Sequence, residues 1–216
     1  MTPPVRIVLV DDQELLRRGL AMLLSTVEDI DIVGQAADGA EALAVIARLA
    51  PDVVLADVRM PVMDGIELVS RARIDHPELP VLLLTTFDDE PVVQGSLAAG
   101  AAGFLLKDSS TDALAEAIRS VSAGGMVIDP RVARIAMARG TDRGRDTAVV
   151  DPLAVLTRAE LLVAELVAEG RTNVEIADQL VLAEGTVKNH VTALLRKLGA
   201  RDRTALALAL YKTLHG

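Results

Sequence analysis

The sequence predicts an α/β domain with a parallel sheet, followed by a small all-α domain. Two observations support this interpretation. Short apolar runs alternate with helical patterns up to about residue 123, which is typical of a parallel sheet covered by helices on both faces. From about residue 156 the apolar spacing is helical throughout, and turn residues separate the helices. We therefore expect two domains of different architecture.

Five strand–helix pairs follow one another in the first domain. The strands are predicted near residues 5–10, 31–35, 52–56, 80–85 and 102–106. The helices are predicted near residues 13–25, 39–49, 65–75, 89–99 and 110–123. Right-handed crossovers leave few topologies for such a chain. The flavodoxin-like strand order 2-1-3-4-5 fits best, because it makes the first and third strands neighbours.

Charge is unevenly distributed along the chain. The 216 residues carry a net charge of −9, and residues 1–128 have 20 Asp and Glu against 9 Lys and Arg. Residues 185–216 have 6 Lys and Arg against a single Asp. An acidic front and a basic tail indicate different partners, and the tail could bind an anionic polymer. A solvated basic face is the alternative interpretation.

The composition also bears on where the protein works. Cysteine is absent, which excludes disulfides and thiolate metal sites and fits a reducing compartment. The N-terminal residues lack the pattern of a signal peptide. The longest stretch without charge, residues 91–106, is too short and too rich in glycine to span a bilayer. We expect a cytoplasmic protein without a membrane partner.

Polar residues follow four of the predicted strands, at the edge of the sheet where parallel strands end together. Asp11 and Asp12 follow the first strand and Asp57 follows the third, so three carboxylates converge. Like charges this close repel, and a hard divalent cation with few protein ligands, Mg²⁺, relieves the repulsion. The fourth strand ends in Thr85 and the fifth in Lys107. Carboxylate, metal, hydroxyl and lysine together suit a phosphoryl group in transfer.

This ordered set resembles the receiver domain of bacterial two-component response regulators, over about residues 1–122. The Met60-Pro61 and Asp64-Gly65 pairs that follow Asp57 belong to the same likeness. The resemblance implies that Asp57 accepts a phosphoryl group from a sensor histidine kinase. It also implies that Mg²⁺ is held by Asp11, Asp12, Asp57 and the backbone carbonyl of Arg59.

Three further residues have roles implied by the resemblance. Thr85 and Lys107 would contact the phosphoryl group, and Thr85 would close on it as part of a switch. Phe104 matches the aromatic switch position of receivers. The alternative for Phe104, an ordinary core or surface phenylalanine, is equally well supported by the sequence.

Two capping boxes mark helix starts in the last third of the chain, Thr157 with Glu160 and Thr172 with Glu175. The second box begins a short helix at about 173–180. A four-residue turn and a helix from 185 to 198 follow, which together form a helix-turn-helix candidate. A last helix is predicted at about 202–213.

This region resembles the LuxR-type DNA-binding domain, over about residues 153–214, and the run from Gly185 to Lys188 carries much of the likeness. Ala183 departs from the family, which usually has a capping serine there, and the loss of a cap costs about 1 kcal/mol. The expected DNA contacts are Thr186, Lys188, Asn189, Thr192, Arg196, Lys197, Arg201 and Arg203. We expect Lys188, Asn189 and Thr192 to contact bases and the others to contact phosphates.

Taken together, the chain looks like a NarL/FixJ-type response regulator. The implied organisation is a receiver at 1–123, a linker at 124–152 that includes a short helix at 131–139, and a DNA-binding domain at 153–216. The implied function is transcription regulation, with no enzymatic activity beyond the protein's own phosphoryl transfer and dephosphorylation. The implied partners are a cognate sensor histidine kinase, double-stranded DNA and a second copy of the chain when phosphorylated.

Two other functions are less well supported. An enzyme with an aspartate nucleophile, such as a dehalogenase-like phosphatase, would have a second aspartate two residues after Asp57, where this chain has Arg59. A regulator that only retains the receiver fold should have lost Asp12, Thr85 or Lys107, and all three are present.

Overall fold

A computed structural model describes residues 3–86, 95, 96, 99–128 and 152–215. The predicted helix at 89–99 falls mostly outside these residues, and the predicted helix at 131–139 falls entirely outside them. The described residues form an α/β domain and a helical domain, so the predicted fold class is confirmed.

A parallel sheet of six strands forms the centre of the first domain, in the order β2-β1-β3-β4-β5-β6. The strands are β1 Val5–Val10, β2 Ile30–Ala36, β3 Val53–Asp57, β4 Val81–Thr85, β5 Gly103–Leu106 and β6 Val127–Ile128. The sequence predicts only five, because β6 is two residues long and shows no periodic pattern. It lies in the predicted linker and extends the sheet beyond β5.

Helices cover both faces of the sheet. They are α1 Glu14–Leu24, α2 Gly39–Leu49, α3 Gly65–Asp75 and α4 Thr111–Ser122. Alternate residues of the strands point to opposite faces, so two separate apolar clusters form. One contains Val8, Val54 and Leu83, and the other contains Leu9, Leu55 and Leu82. Most strand residues are therefore buried, as expected for a parallel sheet.

The second domain contains a short 3-10 helix at Pro152–Val155 and four α-helices. These are α5 Arg158–Ala168, α6 Asn173–Leu180, α7 Glu184–Lys197 and α8 Arg203–His215. Both predicted capping boxes are confirmed, at the starts of α5 and α6. Val187, Val191 and Leu194 of α7 bury one face of that helix in the domain's core. Its N-cap, Ala183, makes no side-chain hydrogen bond, as its side chain predicts.

An ion pair joins the last turn of α7 to the first turn of α5. Lys197 Nζ in the last turn of α7 lies 2.7 Å from Glu160 Oε2 in the first turn of α5, and it also donates to the carbonyl of Val155. Hydrogen bonds from Lys197 and Thr157 lower the pKa of Glu160 from 4.5 to about 2. The Glu160 side chain is 8% exposed and the Lys197 side chain 29% exposed, so the pair is only partly open to solvent.

No helix in the described parts of the chain is long and apolar enough to cross a membrane.

The Glu160–Lys197 pair predicts a pH-dependent stability. Because the folded pKa of Glu160 lies below 4.5, the pair stabilises the domain above that pH and loses its effect as the pH falls towards 2. We expect Lys197→Met to lower the urea midpoint at pH 7, and this difference from the wild type should shrink between pH 4.5 and 2. Circular dichroism at 222 nm measures it. Arg196→Met, at the exposed neighbouring position, should leave the midpoint unchanged.

Candidate functional site

The strand order brings the predicted site residues to one edge of the sheet. β1 lies between β2 and β3, so Asp11, just after β1, lies beside Asp57 at the end of β3. β4 and β5 follow on the other side, with Thr85 as the last residue of β4 and Lys107 directly after β5. Four residues that are far apart in sequence therefore meet, as the predicted topology requires.

Three carboxylates form the centre of the site. One oxygen of each of Asp11, Asp12 and Asp57 lies within 4.8 Å of the others. Asp11 and Asp57 are buried, whereas Asp12 is exposed. Asp12 also lines a surface cleft with Arg59 and Met60. Oxygen ligands that are few in number and open to water on one side fit Mg²⁺, which keeps several of its own waters.

Lys107 joins two of these carboxylates. Its Nζ lies 2.8 Å from Asp57 Oδ2 and 3.0 Å from Asp11 Oδ2. The other oxygen of Asp11 accepts a hydrogen bond from the backbone N–H of Gln13, at 2.8 Å. The ammonium group therefore offsets part of the repulsion between two buried negative charges.

Burial and the contacts between Lys107 and the carboxylates act in opposite directions on the pKa of Asp57 and on that of Lys107. Burial raises the pKa of Asp57 and the nearby Asp11 adds to this effect, while Lys107 and the backbone N–H of Arg59 partly offset it. Burial acts to lower the pKa of Lys107, but its hydrogen bonds to Asp57 and Asp11 outweigh burial and raise it. Lys107 therefore stays a cation next to the Asp57 carboxylate.

The backbone after Asp57 turns sharply and leaves no room for a side chain at Gly65. A Cβ there would lie 2.4 Å from the carbonyl oxygen of Asp57. The N–H of Gly65 donates to the carbonyl of Val58, and Asp64 caps the start of α3 through the N–H of Glu67. The Asp-Gly pair thus closes the loop onto the strand, and Asp64 acts as a cap.

Thr85 and Phe104, the two residues of the predicted switch, are both buried. The buried Thr85 hydroxyl donates to the carbonyl of Thr86, at 3.0 Å. The Phe104 ring is fully buried and belongs to the same apolar cluster as Val54 and Leu83. An inward ring suits both a switch position and an ordinary core residue, so both interpretations of Phe104 stay open.

The solvent-facing side of α7 carries most of the predicted DNA contacts. Lys188, Asn189, Thr192 and Arg196 are exposed, whereas Thr186 is half-buried. Lys188 forms an ion pair with Glu184 one turn earlier, at 2.9 Å, in which both side chains are largely exposed. Such a pair is weak, so Lys188 can exchange it for DNA.

The remaining predicted DNA contacts have partners inside the protein. Lys197 is held by Glu160, as described above. The Arg203 guanidinium donates to Asn173 Oδ1, at 2.8 Å, and to the carbonyl of Arg171, and burial lowers its pKa to about 10. The carbonyl of Arg201 accepts from Arg73 of the α/β domain. These contacts give Lys197 and Arg203 structural roles, and their contacts with phosphate stay predictions.

Contacts between the two domains centre on the start of α8. Arg73 at the end of α3 bonds to Asp202 Oδ2, at 3.1 Å, and to the carbonyl of Arg201. The buried Thr204 hydroxyl donates to the carbonyl of Ala101, at 2.7 Å. The sequence shows no sign of these contacts, because they join residues more than 100 positions apart.

The recognition helix α7 faces the α/β domain across a cleft of about 910 Å³. Lys188, Thr192 and Leu195 line one side of the cleft. The acidic residues Asp75 and Glu78 are among those lining the other side. Two predicted base-contacting residues therefore face the first domain in this arrangement.

Comparisons with known proteins agree with this architecture. The family model of the response regulator receiver domain matches residues 7–119, more than half of the chain. The model of bacterial regulatory proteins of the luxR family matches residues 154–210. The fold, the acidic site and the helix-turn-helix together define a two-component response regulator that regulates transcription.

Two curated relatives and one solved structure indicate the group of response regulators to which the chain belongs. The chain is 41% identical to the DNA-binding transcriptional activator DevR/DosR of Mycobacterium tuberculosis, over 94% of this chain and 93% of that protein. It is 39% identical to the transcriptional regulatory protein LnrK of Bacillus subtilis, over 94% and 95%. The response regulator ChrA of a haem-sensing two-component system has a similar structure, with 33% identity, a TM-score of 0.56 and 99% of both chains covered. The chain therefore belongs to the NarL/FixJ-type response regulators, as its motifs predict.

Proposed function

We propose that Asp57 accepts a phosphoryl group from a sensor histidine kinase and that this phosphorylation controls DNA binding by α7. The observation that carries the proposal is the cluster of Asp11, Asp12 and Asp57 with Lys107 bonded to two of its members. It combines an oxygen nucleophile, an oxygen-rich metal site and a fixed cation. Phosphoryl transfer relies on these three components.

The transfer is a displacement at phosphorus. An Asp57 oxygen forms the new bond to phosphorus while the bond from phosphorus to the donor's histidine nitrogen breaks, and that nitrogen keeps the electron pair and takes up a proton. Asp11, Asp12, Asp57 and the carbonyl of Arg59 would hold Mg²⁺, which supplies charge neutralisation to the phosphoryl oxygens. Lys107 contributes a second, permanent positive charge beside Asp57.

The same residues suggest how the signal leaves the site. A phosphoryl group brings close to two negative charges and several strong acceptor oxygens into a tight site. Lys107 would shift its bonds from Asp11 and Asp57 towards those oxygens, and the Thr85 hydroxyl would leave the carbonyl of Thr86 for the same target. Thr85 ends β4 and Lys107 directly follows β5, and between these two strands in the sequence lies Ala101, whose carbonyl accepts from Thr204 of the helical domain.

The receiver is proposed to extend over 1–123, the linker over 124–152 and the DNA-binding domain over 153–216. The similarity to DevR/DosR, a DNA-binding transcriptional activator, supports DNA as the partner of the last domain. We place α7 in the major groove, with Lys188, Asn189 and Thr192 at base edges and Arg196 at a phosphate. We propose a cytoplasmic location, because both the kinase domain and the DNA act there.

Regulation would follow from competition for α7. In the arrangement described above, α7 faces the acidic side of the α/β domain, so DNA and that domain cannot both occupy its groove-facing side. Phosphorylation would weaken the contacts at Arg73 and Thr204 and release α7. We also propose dimerisation of the phosphorylated protein, because one helix contacts too few base pairs for a specific site.

The acceptor role of Asp57 has a direct test. Acetyl phosphate with Mg²⁺ should label the wild type on one aspartate, and Asp57→Ala should abolish the label. Removal of Mg²⁺ with EDTA should also abolish it. Phos-tag electrophoresis and intact-mass spectrometry measure the product, with Asp64→Ala as a control that keeps its phosphorylation. A phosphorylated Asp57→Ala protein would contradict the assignment.

Arg73 is expected to restrain the unphosphorylated protein. Arg73→Ala removes the hydrogen bonds to Asp202 and to the carbonyl of Arg201 that join the two domains, which together are worth about 1.5 kcal/mol. The variant should therefore bind DNA about tenfold more tightly than the wild type before phosphorylation. Fluorescence anisotropy on a duplex selected in vitro measures this. Arg71→Ala is the matched control, since Arg71 pairs only weakly with Glu67 on the exposed face of the same helix. Equal affinities for both variants would exclude a restraining role.

The salt dependence of DNA affinity distinguishes residues of α7 that contact bases from residues that contact phosphates. Asn189→Ala should cost about 1–3 kcal/mol on the selected duplex and little on a scrambled one. Arg196→Ala should weaken binding to both duplexes alike and reduce the salt slope by about 1. Titrations at two salt concentrations distinguish these outcomes. If Lys188→Ala and Asn189→Ala each lost the same affinity on both duplexes, this face of α7 would not contact bases.

A further inference from the structure

Val62, five residues after Asp57, has a backbone conformation that valine rarely adopts. Its φ angle is +66°. The N–H of Met63 donates to the carbonyl of Pro61, at 2.7 Å, which spans Val62 with a three-residue turn. A positive φ at the centre of such a turn is the mark of a classic γ-turn, which is rare and strained. The strain is greater for a β-branched side chain than for the glycine or asparagine that such positions favour.

The surrounding structure holds Val62 in this conformation. The carbonyl of Met63 accepts a hydrogen bond from the N–H of Gly39 at the start of α2, at 3.0 Å. A Cβ on Gly39 would lie 2.7 Å from the Met63 side chain, so the two segments pack closely. The next residue, Asp64, caps α3. The strained loop is therefore fixed at both sides, and strained positions of this kind concentrate at functional sites.

The Val62 side chain contributes little to the fold. It is 84% exposed, although it is apolar and its neighbours Met60 and Met63 pack against the core cluster. Among the described residues of the α/β domain, only Leu15 is a more exposed large hydrophobic residue, at 87%. Neither burial nor backbone preference explains a valine here, since glycine would relieve the strain without loss of packing.

The position of Val62 is at the rim of the phosphoacceptor site. Pro61 and Asp64 on either side of it line the same cleft as Asp12 and Arg59. A phosphohistidine side chain must enter this cleft to place its phosphorus against Asp57, and the surface that carries the histidine then covers the rim. A small phosphodonor enters the cleft without covering it. The two kinds of donor therefore differ in whether they meet Val62.

We infer that Val62 is a specificity-determining residue, whose side chain packs against the protein that donates the phosphoryl group. The inference rests on the proposed function of Asp57. The rigid γ-turn holds the valine methyl groups outward before the partner arrives, so that contact costs no ordering of the loop. Burial of an exposed valine accounts for about a tenfold gain in transfer efficiency.

The test compares two exposed valines of the same chain that both have a positive φ. Val62→Asn removes the apolar surface and keeps a side chain that tolerates positive φ. Val181→Asn is the matched control, because Val181 has a φ of +54° and is 89% exposed, but ends α6 in the helical domain. Both substitutions relieve strain and should raise Tm by a similar amount, about 2–4 °C.

Phosphotransfer is then measured in the full-length protein from two donors. The first is acetyl phosphate with Mg²⁺. The second is the autophosphorylated, ³²P-labelled kinase that labels the wild type fastest within a panel of the histidine kinases encoded in the same genome. Val62→Asn should react with acetyl phosphate within twofold of the wild type and should lose about tenfold in kcat/KM with the kinase. Val181→Asn should match the wild type with both donors.

The remaining results distinguish failure of the role of Val62 from failure of the role of Asp57. Equal kinase rates for wild type and Val62→Asn would overturn the inference and leave Asp57 as the acceptor. Equal losses with both donors would also overturn it, since Val62 would then only position Asp57. Labelling of the wild type by acetyl phosphate but by no kinase would overturn both the kinase step and this inference. If neither donor labelled the wild type, the proposed acceptor function itself would fail.

Discussion

The receiver site depends on the electrostatic balance between Lys107 and the carboxylates that the sheet forces together. The adjacency of β1 and β3 leaves Asp11 and Asp57 buried near each other, and burial makes their charges costly. Lys107 lies close to both and lowers that cost. Lys107 offsets only part of the cost of burial, because the pKa of Asp57 remains raised. Such a site gains from any further cation. In the proposed function, a phosphoryl group on Asp57 would draw the bonds of Lys107 towards itself, and the link between chemistry and conformational change would begin there.

Sequence reasoning could predict those parts of the molecule that rest on local chemistry. Strand ends, capping boxes and the convergence of Asp11, Asp57, Thr85 and Lys107 follow from apolar runs and from the rules of parallel sheets. The sixth strand could not be predicted, since two residues carry no periodicity. The strained conformation of Val62 also could not be predicted from the sequence, because valine ordinarily indicates a strand rather than a γ-turn.

Charge alone does not indicate which basic residues are bound within the protein. Lys197 and Arg203 are predicted to contact phosphates because they are basic and lie near the helix α7. In the structure, Lys197 bonds to Glu160, and Arg203 bonds to Asn173 and to the carbonyl of Arg171. Both residues therefore link helices of the second domain. Arg196 and Lys197 are neighbours and both are exposed, and no sequence pattern indicates that Lys197 is the one that pairs with Glu160.

The contacts between the domains rely mostly on main-chain oxygens. Arg73 bonds to the carbonyl of Arg201, Thr204 to that of Ala101, and the N–H of Asn173 to that of Ala123. Every amino acid carries a carbonyl, so substitutions at these accepting positions preserve the acceptor as long as the backbone path is kept. The contacts between the domains therefore tolerate substitutions at the residues whose carbonyls accept the hydrogen bonds. Output domains could be exchanged between related chains during evolution without matched changes in the side chains that they meet.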